Sequence, residues 1–392
     1  MFHNFLIVQS SRDLSLIYIK LYMEDKEKTK KGVPIEIIPD KLYWISSKNP
    51  PRSSRSAYYF CIDDALVYNP FCEDFGPLNM AMMHKFCREL KKVMINKEYK
   101  KHKIYHYTST DKKKQANAAF LMGAFMIIVL GYNAGKAWEV FKESGISFKP
   151  FRDAIMGEST YKCTIKDCLE GLYCGIQLGW YNYDTFDRKT YEKLEKVENG
   201  DMNWIIPGKL LAFASPSNKN MMRMDYNPIF KKFGIDLVVR LNEKEYDETI
   251  FTDNGFEHLD IPFVSCSIPP QDVISKFLER AEDTSGGIAV HCKSGLGRTG
   301  TLIGLYCMKH YGFPAAAFIG WIRICRPGSV VGPQQHYLNE IEEDMMTQGD
   351  SLNKKKELIS EMVDTIPDEK KLLMAPRMTR IKRIRDRDQV EG

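Results

Sequence analysis

What this 392-residue chain lacks narrows its class before any motif does. Its ten cysteines form no Cys-x-x-Cys pair and have no histidines at zinc spacing. That argues against zinc ribbons and redox dithiols and for reduced thiols in a cytosolic or nuclear protein; neither a metal nor a cofactor is expected. A strong excess of one charge is missing too. Fifty-six basic and 51 acidic residues leave a formal +5, too little to imply a nucleic-acid partner. No apolar run has the roughly 18 to 20 residues that span a bilayer, so no membrane is expected. The most apolar stretch, Ala118 to Tyr132, reads as a core helix. Near the start, Asn4, Ser10, Arg12 and Asp13 interrupt the apolar patches, which argues against a signal peptide. The length leaves room for two domains.

One more absence sits beside the most informative stretch. Gly295 to Gly300 fits G-x-G-x-x-G, but a dinucleotide site needs an acidic residue about 20 positions on. No Asp or Glu stands between Asp283 and Glu340. A Walker A loop fails as well, since Gly-Lys-Ser/Thr does not follow at its spacing. A buried, inert thiol is the ordinary alternative, and three neighbours of Cys292 oppose it together: the glycines, Arg298 and Thr299. The β-prone Gly287–His291 leads into Cys-Lys-Ser-Gly-Leu-Gly-Arg, residues 292–298, and Thr301–Lys309 reads as a buried helix. A strand, a Gly-rich turn and a helix N-terminus make an anion cradle.

The chemistry this suits is thiolate attack on a phosphate monoester. A helix N-terminus and a neighbouring cation lower a thiol from its ordinary pKa of about 8.5. Lys293, Ser294, Gly295, Leu296 and Gly297 supply backbone N–H groups, and Arg298 supplies a bidentate fork. Thr299 is placed to hydrogen-bond the sulfur. The C-x5-R-[S/T] pattern resembles that of the cysteine-dependent protein phosphatases.

Order is expected from Val33, after a charged lead-in over 1–32. Strands are predicted at 41–46, 57–62, 103–108, 209–214 and 235–241. Helices are predicted at 78–93, 112–130, 134–141, 164–180, 185–197, 271–283, 314–324 and 334–346. The alternation implies an α/β fold with mostly parallel sheets. Ile104-Tyr105-His106-Tyr107, with Lys113 six residues on, echoes Ala289-Val290-His291-Cys292 and Arg298. The echo implies two similar folds in tandem: a non-catalytic half (33–184) that binds rather than catalyses, a linker helix (185–202), a catalytic half (203–350) and a charged, disordered tail (351–392).

Specific segments then carry a family resemblance: Phe75-Gly76-Pro77-Leu78-Asn79, Ala116-Asn117-Ala118-Ala119-Phe120, Pro150-Phe151-Arg152-Asp153, Val197-Glu198-Asn199-Gly200-Asp201, 203–209 and 323–335. Over about Pro34 to Asp350 the chain resembles the cell division cycle 14 (mitotic-exit) phosphatases. The resemblance implies two dual-specificity-phosphatase-like domains, with Cys292 as nucleophile and Gln334 positioning the water that clears a phosphocysteine. It also implies a cell-cycle role, a nuclear and cytoplasmic location with cytoskeletal association, and phosphoserine-proline substrates with a basic residue downstream. An acidic groove would hold that residue, with Asp153, Glu158, Asp167, Glu170, Glu198 and Asp201 as candidates.

One departure stands out. The family's general acid is an aspartate 27 residues before the nucleophile, and here that position is Ser265. A serine hydroxyl is too weak an acid for the role, so a slow enzyme is expected. A phosphoprotein-binding pseudophosphatase acting as a scaffold is the alternative, and an oxidation sensor built on a low-pKa thiol the third. Residues 377–387, with six basic groups against one acidic, read as a solvated tail, a nuclear-targeting patch or an occupant of the acidic groove.

Overall fold

The computed structural model describes residues 34–52, 54–216 and 225–364, with the side chains of the last helix described as far as Ser351. The first half builds a four-stranded sheet from β1 (Ile35–Ile38), β2 (Leu42–Ser46), β3 (Ala57–Cys61) and β4 (Lys103–Thr108), in the order β1-β2-β4-β3. Only the β1–β2 pair is antiparallel; β4 runs parallel to both its neighbours. Helices α1 (Met80–Ile95), α2 (Lys112–Ile128), α3 (Ala134–Lys142) and α4 (Ile165–Gln177) complete it. Every residue of α2 from Gln115 to Ile127 is buried, so the most apolar stretch of the chain is the central helix of this half. A helix apolar all round belongs in a core.

The second half repeats the plan. Its sheet holds β5 (Met202–Ile206), β6 (Leu210–Ala214), β7 (Ile235–Arg240), β8 (Glu257–Asp260) and β9 (Gly287–Cys292), in the order β5-β6-β9-β7-β8. Again only the first pair is antiparallel. The helices are α6 (Asn227–Lys232), α7 (Thr249–Thr252), α8 (Gln271–Asp283), α9 (Gly297–Tyr311), α10 (Ala315–Cys325) and α11 (Pro333–Asp364). β4 leads into α2 as β9 leads into α9, and each strand is central in its sheet. The tandem echo is therefore structural.

Between the halves lies α5 (Arg188–Leu194), then a 3-10 turn at Val197–Asn199; the linker helix is shorter than its expected 185–197. The tail boundary also moves, because α11 continues to Asp364. Residues 365–392, including the basic run, and the lead-in over 1–32 lie outside the described residues.

α4 of the first half packs on α10 of the second through glycine. A Cβ on Gly171 would stand 2.2 Å from the Ala317 carbonyl, and one on Gly320 would stand 2.5 Å from the Asp167 carbonyl. Gly175 leaves space for the Trp321 ring, whose Nε1 donates to the Ile205 carbonyl at 3.1 Å. One apolar core runs through this seam from Ile35 to Met345.

Candidate active site

All six residues of β9 are buried, and the strand delivers Cys292 to the C-terminal edge of the parallel sheet, where α/β proteins place their ligands. The loop that follows is held from outside by its carbonyls. His291 Nδ1 donates to the Cys292 carbonyl at 3.1 Å and Ser215 N to that of Lys293 at 3.0 Å. Arg326 donates from Nη2 to the Ser294 carbonyl at 2.9 Å and from Nε to the Gly295 carbonyl at 2.8 Å. Val330 N and Gly300 N reach the Leu296 carbonyl at 3.2 and 3.1 Å. In a trans peptide the N–H points opposite to the C=O, so pinning these carbonyls outward turns the N–H groups of residues 293–297 inward. Gly295 must be glycine: its φ is +65°, and a Cβ would lie 2.0 Å from the Phe213 carbonyl. Among the described residues no N-cap side chain covers the N-terminus of α9, which keeps that end open to an anion. The Lys293 side chain is exposed, so its contribution to the cradle is its N–H.

Cys292 is 3% exposed. Burial pushes its pKa up, but the Thr299 hydroxyl and N–H, the Arg298 charge and the Leu296 N–H outweigh it and hold the thiol below the ordinary cysteine value. The Thr299 hydroxyl is fully buried and has no oxygen or nitrogen partner among the described residues, so a thiolate at Cys292 is the acceptor it can serve. Arg298 Nη1 donates to the Leu241 and Phe263 carbonyls at 2.9 and 2.7 Å. That leaves the Nε/Nη2 edge for a phosphate. Gln334 is fully buried beside the cradle: a Cβ on Gly297 would lie 2.9 Å from its Oε1.

A family model described as dual specificity protein phosphatase, N-terminal half, matches residues 36–175, and one for the phosphatase domain of a Swiss Army Knife protein (DSP-PTPase) matches 199–334. Human dual specificity protein phosphatase CDC14A is 47% identical over 329 residues, 82% of this chain and 55% of that one. Human CDC14C is 41% identical over 321 residues, 80% of this chain and 72% of that one. The chain belongs to the CDC14 family. It spans about half the length of the CDC14A proteins it matches. Its two halves are the tandem dual-specificity-phosphatase-like domains of that family.

The loop around Ser265, where an acid was expected, borders the cradle. Its ends are tied to the catalytic machinery, Phe263 O to Arg298 and Ser267 O to Gln334 Nε2 at 3.0 Å. Between them Ser265 is exposed, with Oγ 3.8 Å from the Cys266 sulfur. The flanking carboxylates are committed elsewhere. Arg240 clamps Asp260 at 2.5 and 2.7 Å, and Lys276 reaches Asp272 at 3.5 Å.

Four of the six groove candidates already have partners. Asp153 is completely buried and accepts from Gly332 N at 2.6 Å, Gln335 Nε2 at 3.0 Å and Ser159 Oγ at 2.7 Å. It is an interior tie between the halves, not a groove wall. Asp167 completes the capping box of α4 with Thr164, Glu170 pairs with Lys166 at 3.0 Å, and Asp201 pairs with Arg326 at 2.9 Å. Glu158 and Glu198 are exposed.

The first half closes its own cradle. The Asp111 carboxylate caps α2 by accepting from Lys113 N and Lys114 N, both at 2.9 Å. Asp63 takes Ser109 N at 2.9 Å. Tyr107 donates to the Ser47 carbonyl at 3.3 Å, and Lys113 Nζ lies 5.5 Å from the centre of the Phe75 ring. Two aspartates thus occupy donors that a phosphate would need.

Sequence reasoning missed Arg326 and the support behind His291. Burial lowers the His291 pKa to about 3, so the ring is neutral and donates through Nδ1. Its Nε2 then accepts from Tyr246 OH at 2.7 Å, whose oxygen takes His258 Nε2–H at 2.9 Å. The Cys292 carbonyl can only accept, and that fixes the direction of every bond in the chain. No local pattern announces either group.

Proposed function

We propose that the chain is a cysteine-dependent protein phosphatase acting through a phosphocysteine. The inward-facing N–H groups of residues 293–297, set around a thiol held below its ordinary pKa, carry this reading. The Cys292 thiolate attacks phosphorus in line while the cradle and Arg298 hold the three non-bridging oxygens. The P–O bond to the substrate breaks, and its electrons leave as alkoxide or phenoxide. Water then attacks the phosphocysteine, oriented by Gln334, and phosphate leaves with the P–S electrons returning to sulfur, where Thr299 meets them. Ser265 supplies no acidic proton to the first leaving group, so phenols depart more readily than alcohols.

Phosphoserine or phosphothreonine followed by proline, with a basic residue downstream, and phosphotyrosine are the substrates that go with family membership. Exposed Glu158 and Glu198 are the groove residues still available to the basic side chain. A cell-cycle role with a nuclear and cytoplasmic location, including the cytoskeleton of dividing cells, belongs to the same reading; imaging a fluorescent fusion through division tests it.

Acid-quench trapping with a ³²P-labelled aryl phosphate decides the chemistry. Label should appear on Cys292, be absent from Cys292→Ser, and turn over. Wild-type protein that binds phosphopeptide without ever becoming labelled would instead be the scaffold that the missing acid also allows.

A further inference from the structure

Arg326 is the first residue after α10 and is 3% exposed. Its guanidinium joins two segments far apart in sequence. One edge takes the Ser294 and Gly295 carbonyls at the apex of the phosphate loop. On the other, Nη1 lies 3.0 Å from the Asp201 carbonyl, 2.9 Å from Asp201 Oδ1 and 2.8 Å from Asn203 Oδ1. Asp201 follows the 3-10 turn that closes the linker, and its φ of +47° is uncommon for a residue with a side chain. Its carbonyl also accepts from Ala214 N at 3.1 Å, and Ala214 pairs in register with Cys292.

We propose that Arg326, aimed by Asp201 and Asn203, is the positioning residue that fixes the anion-binding form of the phosphate loop, and that the linker between the halves thereby holds the cradle directly. The proposal rests on the phosphatase reading. The outer parts of the loop are secured by other means: Cys292 by β9 and His291, Leu296 by the first turn of α9. Among the described residues, the Ser294 and Gly295 carbonyls have only Arg326. Glycine makes rotation of their peptide planes easy, and rotation would swing carbonyl oxygens toward a phosphate dianion where N–H donors are needed. A planar guanidinium with fixed donor spacing can hold two adjacent carbonyls and a carboxylate together; the ammonium of lysine cannot reproduce that fork. Asp201 balances the charge of Arg326, so the contribution of the pair is orientation. Arg326 itself does not reach the substrate.

The test compares wild type, Arg326→Lys and Asp201→Asn in the full chain. Asparagine tolerates the left-handed backbone and keeps the 201 carbonyl. Tungstate affinity by calorimetry, the pH dependence of iodoacetate alkylation at Cys292 and thermal melting are measured together. Arg326→Lys should bind tungstate about tenfold or more weakly and shift alkylation to higher pH, as the loss of oriented donors requires. Asp201→Asn should move both in the same direction by less, and it carries the test should the lysine variant fail to fold. Folded variants with a lower melting temperature but wild-type tungstate affinity and alkylation profile would make Arg326 merely structural and overturn the proposal. Neither main readout needs turnover. A wild type that binds tungstate yet hydrolyses no ester would therefore defeat the phosphatase reading while leaving this one measurable.

Discussion

Under the proposed mechanism, Ser265→Asp should speed the hydrolysis of phosphoserine. Residue 265 is exposed on a loop whose two ends bond to Arg298 and Gln334. A carboxyl group placed there meets no packing penalty. General acid catalysis is worth about 10²–10⁴-fold, or roughly 3 to 5.5 kcal/mol of barrier. The full gain should appear only where the leaving group needs a proton. For a phosphoserine-proline peptide, kcat should rise by about 10²-fold or more. For aryl phosphates, whose phenols have pKa values near 10 or below, the gain should shrink as the phenol becomes more acidic. Plotted against leaving-group pKa, log kcat should fall steeply for wild type and flatten for the variant. A descending limb should also enter the pH profile of the variant, because the new acid must be protonated to act. Equal rates on the peptide for both proteins would refute the placement of the acid at 265.

The remaining predictions concern the supports of the site. Gly295→Ala should abolish turnover and tungstate binding, since its φ of +65° and a Cβ 2.0 Å from the Phe213 carbonyl leave no room; wild-type calorimetry would contradict this. Cys292 should be alkylated at half its maximal rate at a pH below the ordinary thiol value of about 8.5, because its thiolate is stabilised. Burial, mainly, raises Glu195 from 4.5 to about 7. Its stabilising contribution is complete below about pH 4.5 and is lost as pH rises through 7. Glu195→Gln, which can keep the bond from Asn79, should therefore gain about 1–2 kcal/mol over wild type above pH 7, after allowance for screening. Denaturant melts at pH 5 and 8 would show it. Gly320→Val should cost about 1–3 kcal/mol by forcing α10 off α4, visible as a lower melting temperature.

The parts of this molecule legible in its sequence were those dictated locally. β4 and α8 begin and end where the pattern predicts, because alternation, apolar spacing and turn residues act over a few positions. The cradle was legible because a thiol, glycines and an arginine at fixed spacing have few other uses. The strands β1, β5 and β8 were missed: each lies at an edge of its sheet and is defined by tertiary pairing. Asp153 and Asp201 were misread for a related reason. Both are conspicuous in sequence, yet their partners lie near residues 332 and 326, and nothing local tells a buried tie from a solvated charge. Arg326 was invisible on the same ground, since its value lies in which carbonyls it meets.

The glycine seam between α4 and α10 has a mechanical consequence. With a Cβ at Gly171 or Gly320 falling within 2.2 to 2.5 Å of the opposite backbone, the two helices touch main chain to main chain and have no side-chain cushion to slide on. Asp153 adds a second fastening at Gly332, two residues before Gln334. A protein joined this way does not clamp its target by hinging one half onto the other. The placement of one half on the other is set when the chain folds.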